Sequence, residues 1–129
     1  MADRVVVVGR VAEEDLPAHL GLGDVALYPM ADTLINRAKS PVKVLEPMLV
    51  GLPLVAHRVG EVAEFVGDAG VLVPPGDLRG MAEAVCALLA DPERRERLGR
   101  MAQKRVWERF NWQHLCAAAE DAYRVAGGQ

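Results

Sequence analysis

The apolar positions of this chain follow two rhythms. Up to about residue 76 they come in short continuous runs, broken by glycine, proline and polar clusters. Beyond it they recur every three or four residues. A short apolar run bounded by turn residues predicts a strand covered on both faces, and a three-to-four repeat predicts a helix with one buried side.

Read this way, residues 4–9 (RVVVVG) are a first strand, 13–21 a short helix and 24–29 (DVALYP) a second strand stopped by proline. Residues 30–40 form a polar loop. Residues 41–50 are a helix closed by Gly51, 53–56 a third strand, and 57–60 a loop at its end. Residues 61–66 are a short helix ended by Gly67, 70–73 a fourth strand, and 74–76 (PPG) a turn. Strands that alternate with helices imply βαβ units and a parallel sheet.

Three helices follow. Asp77 caps the first, whose inner side carries Met81, Val85, Leu88 and Leu89. Asp91-Pro92-Glu93 restarts the chain with a cap, a proline at the first helical position and an acid in the first turn. That helix turns Leu98, Met101, Ala102 and Val106 inward. Asn111 caps the last, with Leu115, Ala118, Ala119, Ala122 and Tyr123 on one side. The expected class is α/β, a Rossmann-like parallel sheet of about four strands with flanking helices and an all-helical tail. It is one domain over 1–129, with an α/β part over 1–76 and the helices over 77–126.

Composition narrows the function. With 129 residues, 51% of them hydrophobic, the chain can bury one core. Fifteen basic residues against 18 acidic ones, a net charge of −3, argue against nucleic acid as a partner. No apolar run reaches the ~20 residues of a membrane span, and the first residues do not read as a secretory signal. Cys86 and Cys116 lie in helical patterns without metal spacing and are expected as buried thiols in a reducing cytosol. His19 and His114 read as structural or exposed.

Ligands of an open parallel sheet bind beyond the carboxyl ends of its strands. The segment Lys-Ser-Pro-Val-Lys-Val-Leu-Glu at 39–46 lies there. Ser40 suits the cap position and Pro41 the first helical one, which leaves the N–H groups of Val42 and Lys43 without intrahelical partners. Lys43 stands where a capping box places an acid, and a cation in the first turn opposes the helix dipole by roughly 0.3–1 kcal/mol. An anion at the helix start removes that conflict; a lysine bent to solvent is the plainer alternative. Lys39 adds a second cation. Glu46, one turn on, either pairs with Lys43 or accepts hydrogen bonds from vicinal hydroxyls such as a ribose diol. Pro47 is awkward inside a helix over 41–50 and predicts a kink there. His57 and Arg58, and the lone turn Gly9-Arg10, are further candidates for phosphate or sugar contacts. No nucleophile triad, metal spacing or Walker loop is present, so catalytic residues are not assigned and no metal is expected.

The runs DVALYP, NRAKSPVKVLEPMLVGLPLVAHRVGEVAEFVGDAGVLVPPGD and DPERRERLGRMAQKRVWERFNW resemble, in order and spacing, the C-terminal domain of the group 1 (family 4) glycosyltransferases of the GT-B fold. The resemblance implies that the amides at the start of the helix over 41–50 hold a donor pyrophosphate. It also implies that Glu46, matching the second acid of an E-x7-E pattern, holds the nucleotide ribose. Gly60 and Glu64 are similar to a G-G-x-x-E segment, and 70–77 to G-x-L-V-x-P-G-D. The first acid of E-x7-E falls on Ala38, as in a K-S-P-x-K subset, and Pro47 replaces a usual Ala or Tyr.

Two earlier strands of the family's domain, a basic pyrophosphate-binding loop and the acceptor domain precede the matched region in that family. In its sheet order, 3-2-1-4-5-6, the run at 5–8 is strand 3. Here it is expected to move beside DVALYP or to pair with another molecule.

The implied activity is that of a retaining glycosyltransferase's donor-binding part, with a nucleotide-diphosphate sugar as substrate and no cofactor, inactive without an acceptor domain. A non-catalytic binding or oligomerisation module on the same fold is the alternative, and a GT-B epimerase a weaker one. Expected partners are the donor, an N-terminal acceptor-domain chain, or a second copy through the first strand or last helix. The expected location is cytoplasmic, with a peripheral place at the membrane left open.

Overall fold

A computed structural model describes residues 4–127. Its centre is a three-stranded parallel sheet in the order β1-β2-β3, made of β1 (Ala26–Tyr28), β2 (Leu54–His57) and β3 (Gly70–Val73). Leu27 faces Val55, and Val55 faces Val71. All four residues of β2 are buried, as a continuous apolar run in a central strand requires.

Alternation along β2 divides the core. Leu54 and Ala56 face a cluster with Val44, Met48, Val62, Val66, Ala102 and Val106. Val55 faces the opposite cluster, with Val73, Met81, Leu88 and Leu98. The first cluster is covered by α3 (Leu45–Leu49), α4 (Val62–Val66) and the second half of α6 (Pro92–Arg109). The other is covered by α5 (Leu78–Ala90) and the first half of α6.

The first expected strand, over 4–9, is absent. Val5–Val8 carry no ladder, lie 61–87% exposed, and do not join β1. A run of valines favours an extended backbone but forms a strand only where an edge pairs with it. A short 3-10 turn (Glu13–Asp15) runs into α1 (Leu16–Leu20), as the helix over 13–21 anticipated. The expected polar loop over 30–40 contains a further helix, α2 (Leu34–Ala38), capped by the Thr33 hydroxyl, which accepts from the Asn36 N–H at 3.2 Å.

The helix expected over 41–50 is split. A 3-10 turn (Val42–Val44) precedes α3, so Pro47 is the third residue of a short α-helix, where an N–H has no intrahelical partner to lose. The anticipated kink is avoided by starting the α-helix late. Gly51 then closes α3 at φ +76°.

The caps anticipated on the last three helices are present. Asp77 accepts from the Gly80 N–H at 2.8 Å, Asp91 from Arg94 at 2.9 Å and Asn111 from His114 at 2.9 Å. Arg105 ties α6 to the end of α4. Its guanidinium donates to the Phe65 carbonyl at 2.9 Å and the Glu64 carbonyl at 2.7 Å, lies over the Phe110 ring, and occupies the space a side chain at Gly67 would need. Arg105→Met should therefore lower stability by about 2 kcal/mol, since it leaves two helix-end carbonyls without their charged donor. Denaturant unfolding measures this.

The last helix, α7 (Trp112–Gly127), buries no residue; its expected inner side is open, with Leu115 51% and Tyr123 80% exposed. A 16-residue helix without packing is marginal in water. Removing residues 113–129 should leave the unfolding midpoint within about 0.5 kcal/mol of the full chain while reducing far-ultraviolet ellipticity. Both cysteines are exposed, against expectation. Cys86 falls outside the Met81-Val85-Leu88 stripe of α5, and Cys116 lies on the uncovered α7.

Candidate functional site

Lys43 and Glu46 flank one cavity of about 380 Å³ beside edge strand β1, walled by Leu20, Tyr28, Val44 and Leu54. Lys43 is exposed and Glu46 half-buried. No ion pair joins them, so Glu46 does not pair with Lys43, while the exposed Lys43 also fits the plainer alternative of a lysine turned to solvent. Glu46 also borders a second, apolar groove of about 580 Å³ on the other side of the same segment. Ser40, Val42, Phe65, Trp107, Phe110 and Trp112 line it. The segment 40–46 is thus a ridge between two concavities, and Glu46 lines both.

The helix start differs in detail from the expectation. Ser40 makes no side-chain cap, and Pro41 takes the position before the 3-10 turn at φ −85° and ψ 68°. The Val42 N–H turns back to the Ser40 carbonyl at 3.0 Å, and the Val44 N–H donates to Pro41 at 3.1 Å. The amide of Lys43, between them, donates to no backbone carbonyl. Lys39 is exposed in extended backbone after α2. Ala38, at the last position of α2, puts a methyl group where the E-x7-E pattern has its first acid.

His57 is 3% exposed, and its Nδ1 lies 3.1 Å from the Met30 nitrogen and 3.0 Å from the Met30 oxygen. Arg58 is exposed, and its N–H donates to the Val73 carbonyl at 2.9 Å, one residue beyond β2. Gly60, at φ +52°, is pressed against α2. Glu64 lies 3.5 Å from the Arg109 guanidinium and 4.0 Å from that of Arg105, which engages it with α6. Gly9 (φ +78°) and Arg10 are exposed, and nothing approaches within 4 Å of the place of a Gly9 side chain. The structure therefore brings Ser40, Pro41, Val42, Lys43 and Glu46 together on one ridge. Gly9 and Arg10 stand in the exposed segment before it.

The bracing of the loop over 30–38 was missed. Arg37 forks onto Asp32 at 2.5 and 2.7 Å, and Asn36 Nδ2 donates to the Ala31 carbonyl at 2.8 Å. The signal available was Thr33 ahead of Leu34-Ile35, a capping residue before an apolar pair. The Arg37 hydrogen bond holds the Asp32 carboxyl below its ordinary pKa. A lowered carboxylate pKa contributes stability above the unfolded value and loses it as pH falls through the folded one. Acidification through the lower carboxylate range should therefore loosen this loop before the core unfolds. Amide exchange at Asn36 and Arg37 reads this directly.

A family model described as glycosyl transferases group 1 matches residues 1–91. The chain belongs to the group 1 glycosyl transferases. Among relatives, an alpha-D-kanosaminyltransferase of Streptomyces kanamyceticus is 36% identical over 79% of this chain and 26% of its own length. A glycogen synthase of Mycobacterium tuberculosis is 32% identical over 92% of this chain and 28% of its own. A solved sucrose-phosphate synthase of Thermosynechococcus elongatus superposes with a TM-score of 0.76 at 30% identity, covering 98% of this chain and 31% of that one. This group 1 glycosyl transferase chain thus spans between a quarter and a third of the length of these relatives. Among the described residues, no helix is long and apolar enough to cross a membrane.

Proposed function

We propose that this chain is the donor-binding part of a glycosyltransferase that takes a sugar from a nucleotide-diphosphate sugar. The observation that carries the reading is the placement of Lys43 and Glu46 on one cavity without pairing to each other. A cation beside a helix start suits a diphosphate, and a carboxylate one turn on suits the hydroxyls of a ribose. Membership of the group 1 family supports sugar transfer as the reaction.

In that reaction the bond between the anomeric carbon and the diphosphate oxygen breaks, negative charge grows on the departing nucleoside diphosphate, and the acceptor hydroxyl oxygen takes the carbon as its proton passes to the departing diphosphate or to water. Lys43 and the adjacent amide stabilise that charge where it develops. Lys39, exposed just before the ridge, and Arg58, exposed just after β2, are further candidate cations, and Gly9-Arg10 a candidate backbone turn. Glu46 anchors the nucleoside so that the sugar is presented from a fixed base. Turnover requires a surface for the acceptor, which we assign to another domain or chain.

The open faces of Val5–Val8 and α7 favour a second reading, in which the chain serves as a binding or assembly module on this fold. Amide-shift mapping separates the two. Uridine, guanosine or adenosine diphosphate should move the signals of Val42, Lys43 and Glu46. Shifts confined to α7 on raising protein concentration, with none from any nucleotide, would support the module instead.

A further inference from the structure

His57 is the only buried polar side chain among the described residues. Its Nε2 is also buried and has no hydrogen-bond partner. So enclosed, the ring presents no nitrogen to the ligand edge of the sheet, although it closes β2 on that edge. What it does hold is Met30. A single Nδ1 cannot serve both the Met30 N–H and the Met30 carbonyl, which lie 3.1 and 3.0 Å away. Either the Met30 N–H donates to an unprotonated Nδ1 or a protonated Nδ1 donates to the Met30 carbonyl; each leaves Nε2 without a partner, and each ties the ring to Met30.

Three residues on, Gly60 makes a second attachment. A Cβ there would stand 2.8 Å from the Arg37 carbonyl oxygen and 3.0 Å from that of Asn36, so the two backbones are in direct contact. The stretch between Met30 and Arg37 is braced by Thr33, Asn36 and the Arg37–Asp32 fork. It leads through Ala38 and Lys39 straight into Ser40 and the Lys43 turn.

We infer that His57 is a positioning residue. Acting through Met30, with Gly60 fixing the far end, it sets the loop over 30–39 on the sheet and so places Lys39 and Lys43 relative to Glu46. The consequence for ligand binding rests on the donor-site reading above; the attachment of the loop does not. The substrate is never touched by the imidazole.

The test compares His57→Asn, whose side-chain amide ends near the level of Nδ1, with His57→Gln, whose amide ends near Nε2. Both are first checked for folding by circular dichroism. In the wild-type chain, nitrogen resonances of His57 show which of the two bonds to Met30 forms, and the buried Met30 amide should exchange slowly. His57→Asn should keep Met30 protected. His57→Gln should expose it and weaken binding of uridine, guanosine or adenosine diphosphate about tenfold, as expected when a ligand must order the loop itself. Slow Met30 exchange in His57→Gln would overturn the inference. So would equal loss of affinity in both variants with Met30 still protected in His57→Asn, because that pattern belongs to direct contact. If none of the nucleotides binds the wild-type chain, the donor reading fails, and Met30 exchange alone decides the attachment. Should His57→Asn not fold, Gly60→Ala replaces it. Faster exchange at Asn36 and Arg37 in that variant is expected, and unchanged exchange would contradict the bracket.

Discussion

Gly99→Ala is expected to destabilise the chain by about 3 kcal/mol, the upper part of the usual range for overpacking. Gly99 lies in the middle of α6, where glycine is unfavourable by roughly 1 kcal/mol against alanine, so local propensity alone predicts a gain. The opposite is expected because a Cβ at residue 99 would overlap the carbonyl of Gly51. Gly51 itself needs φ +76° to close α3, and the next turn leads straight into β2. Neither backbone has a flexible side chain to move aside. The methyl group must push α6 off the sheet, where Leu98, Ala102 and Val106 serve both halves of the core. Thermal unfolding should show a midpoint lower by roughly 10 °C for a domain of this size. An unchanged or raised midpoint would mean that α6 does not seat against the Gly51 turn.

Lys43→Ala is expected to weaken nucleoside diphosphate binding by roughly 30-fold, as loss of one charged hydrogen bond of about 2 kcal/mol implies. Glu46→Ala should weaken it by at least about tenfold, through the hydroxyl contacts of the ribose. Both side chains are only partly enclosed and neither belongs to the buried core, so both variants should unfold at the wild-type midpoint. The two effects should separate with ligand. Lys43→Ala should discriminate against diphosphate relative to nucleoside, and Glu46→Ala against ribonucleotide relative to its deoxy counterpart. Equal affinity for all of these in both variants would remove the ridge over 40–46 from the binding site.

What the sequence made legible was mostly what neighbouring residues decide. Asp77, Asp91 and Asn111 announce their helices because a cap acts within three residues, and each is found accepting the expected amide. The apolar run before His57 reads as a central strand because burial on both faces leaves no polar alternation. Val5–Val8 show the limit of the same reasoning, since a strand also needs an edge and no local pattern supplies one. Pro47 misled for a related reason: its effect depends on where the α-helix begins, and the 3-10 turn before Leu45 moved that start. In the site, the Lys43–Glu46 spacing put both side chains on one cavity, as a helical turn requires. His57 was not legible as a buried residue. A histidine after a strand faces in or out according to what the next loop offers, and here the backbone of Met30 lies 27 residues away in sequence. Arg105 was equally hidden, because its partners, the carbonyls of Glu64 and Phe65, lie 41 and 40 residues back.

The central claim is that the ridge from Ser40 to Glu46 holds a nucleoside diphosphate. Calorimetric titration of the wild-type chain with uridine, guanosine and adenosine diphosphates tests it most directly. Saturable binding of at least one of them, on the order of micromolar affinity and weakened in Lys43→Ala and Glu46→Ala, is the predicted result. The absence of binding by all three to a folded chain would contradict it.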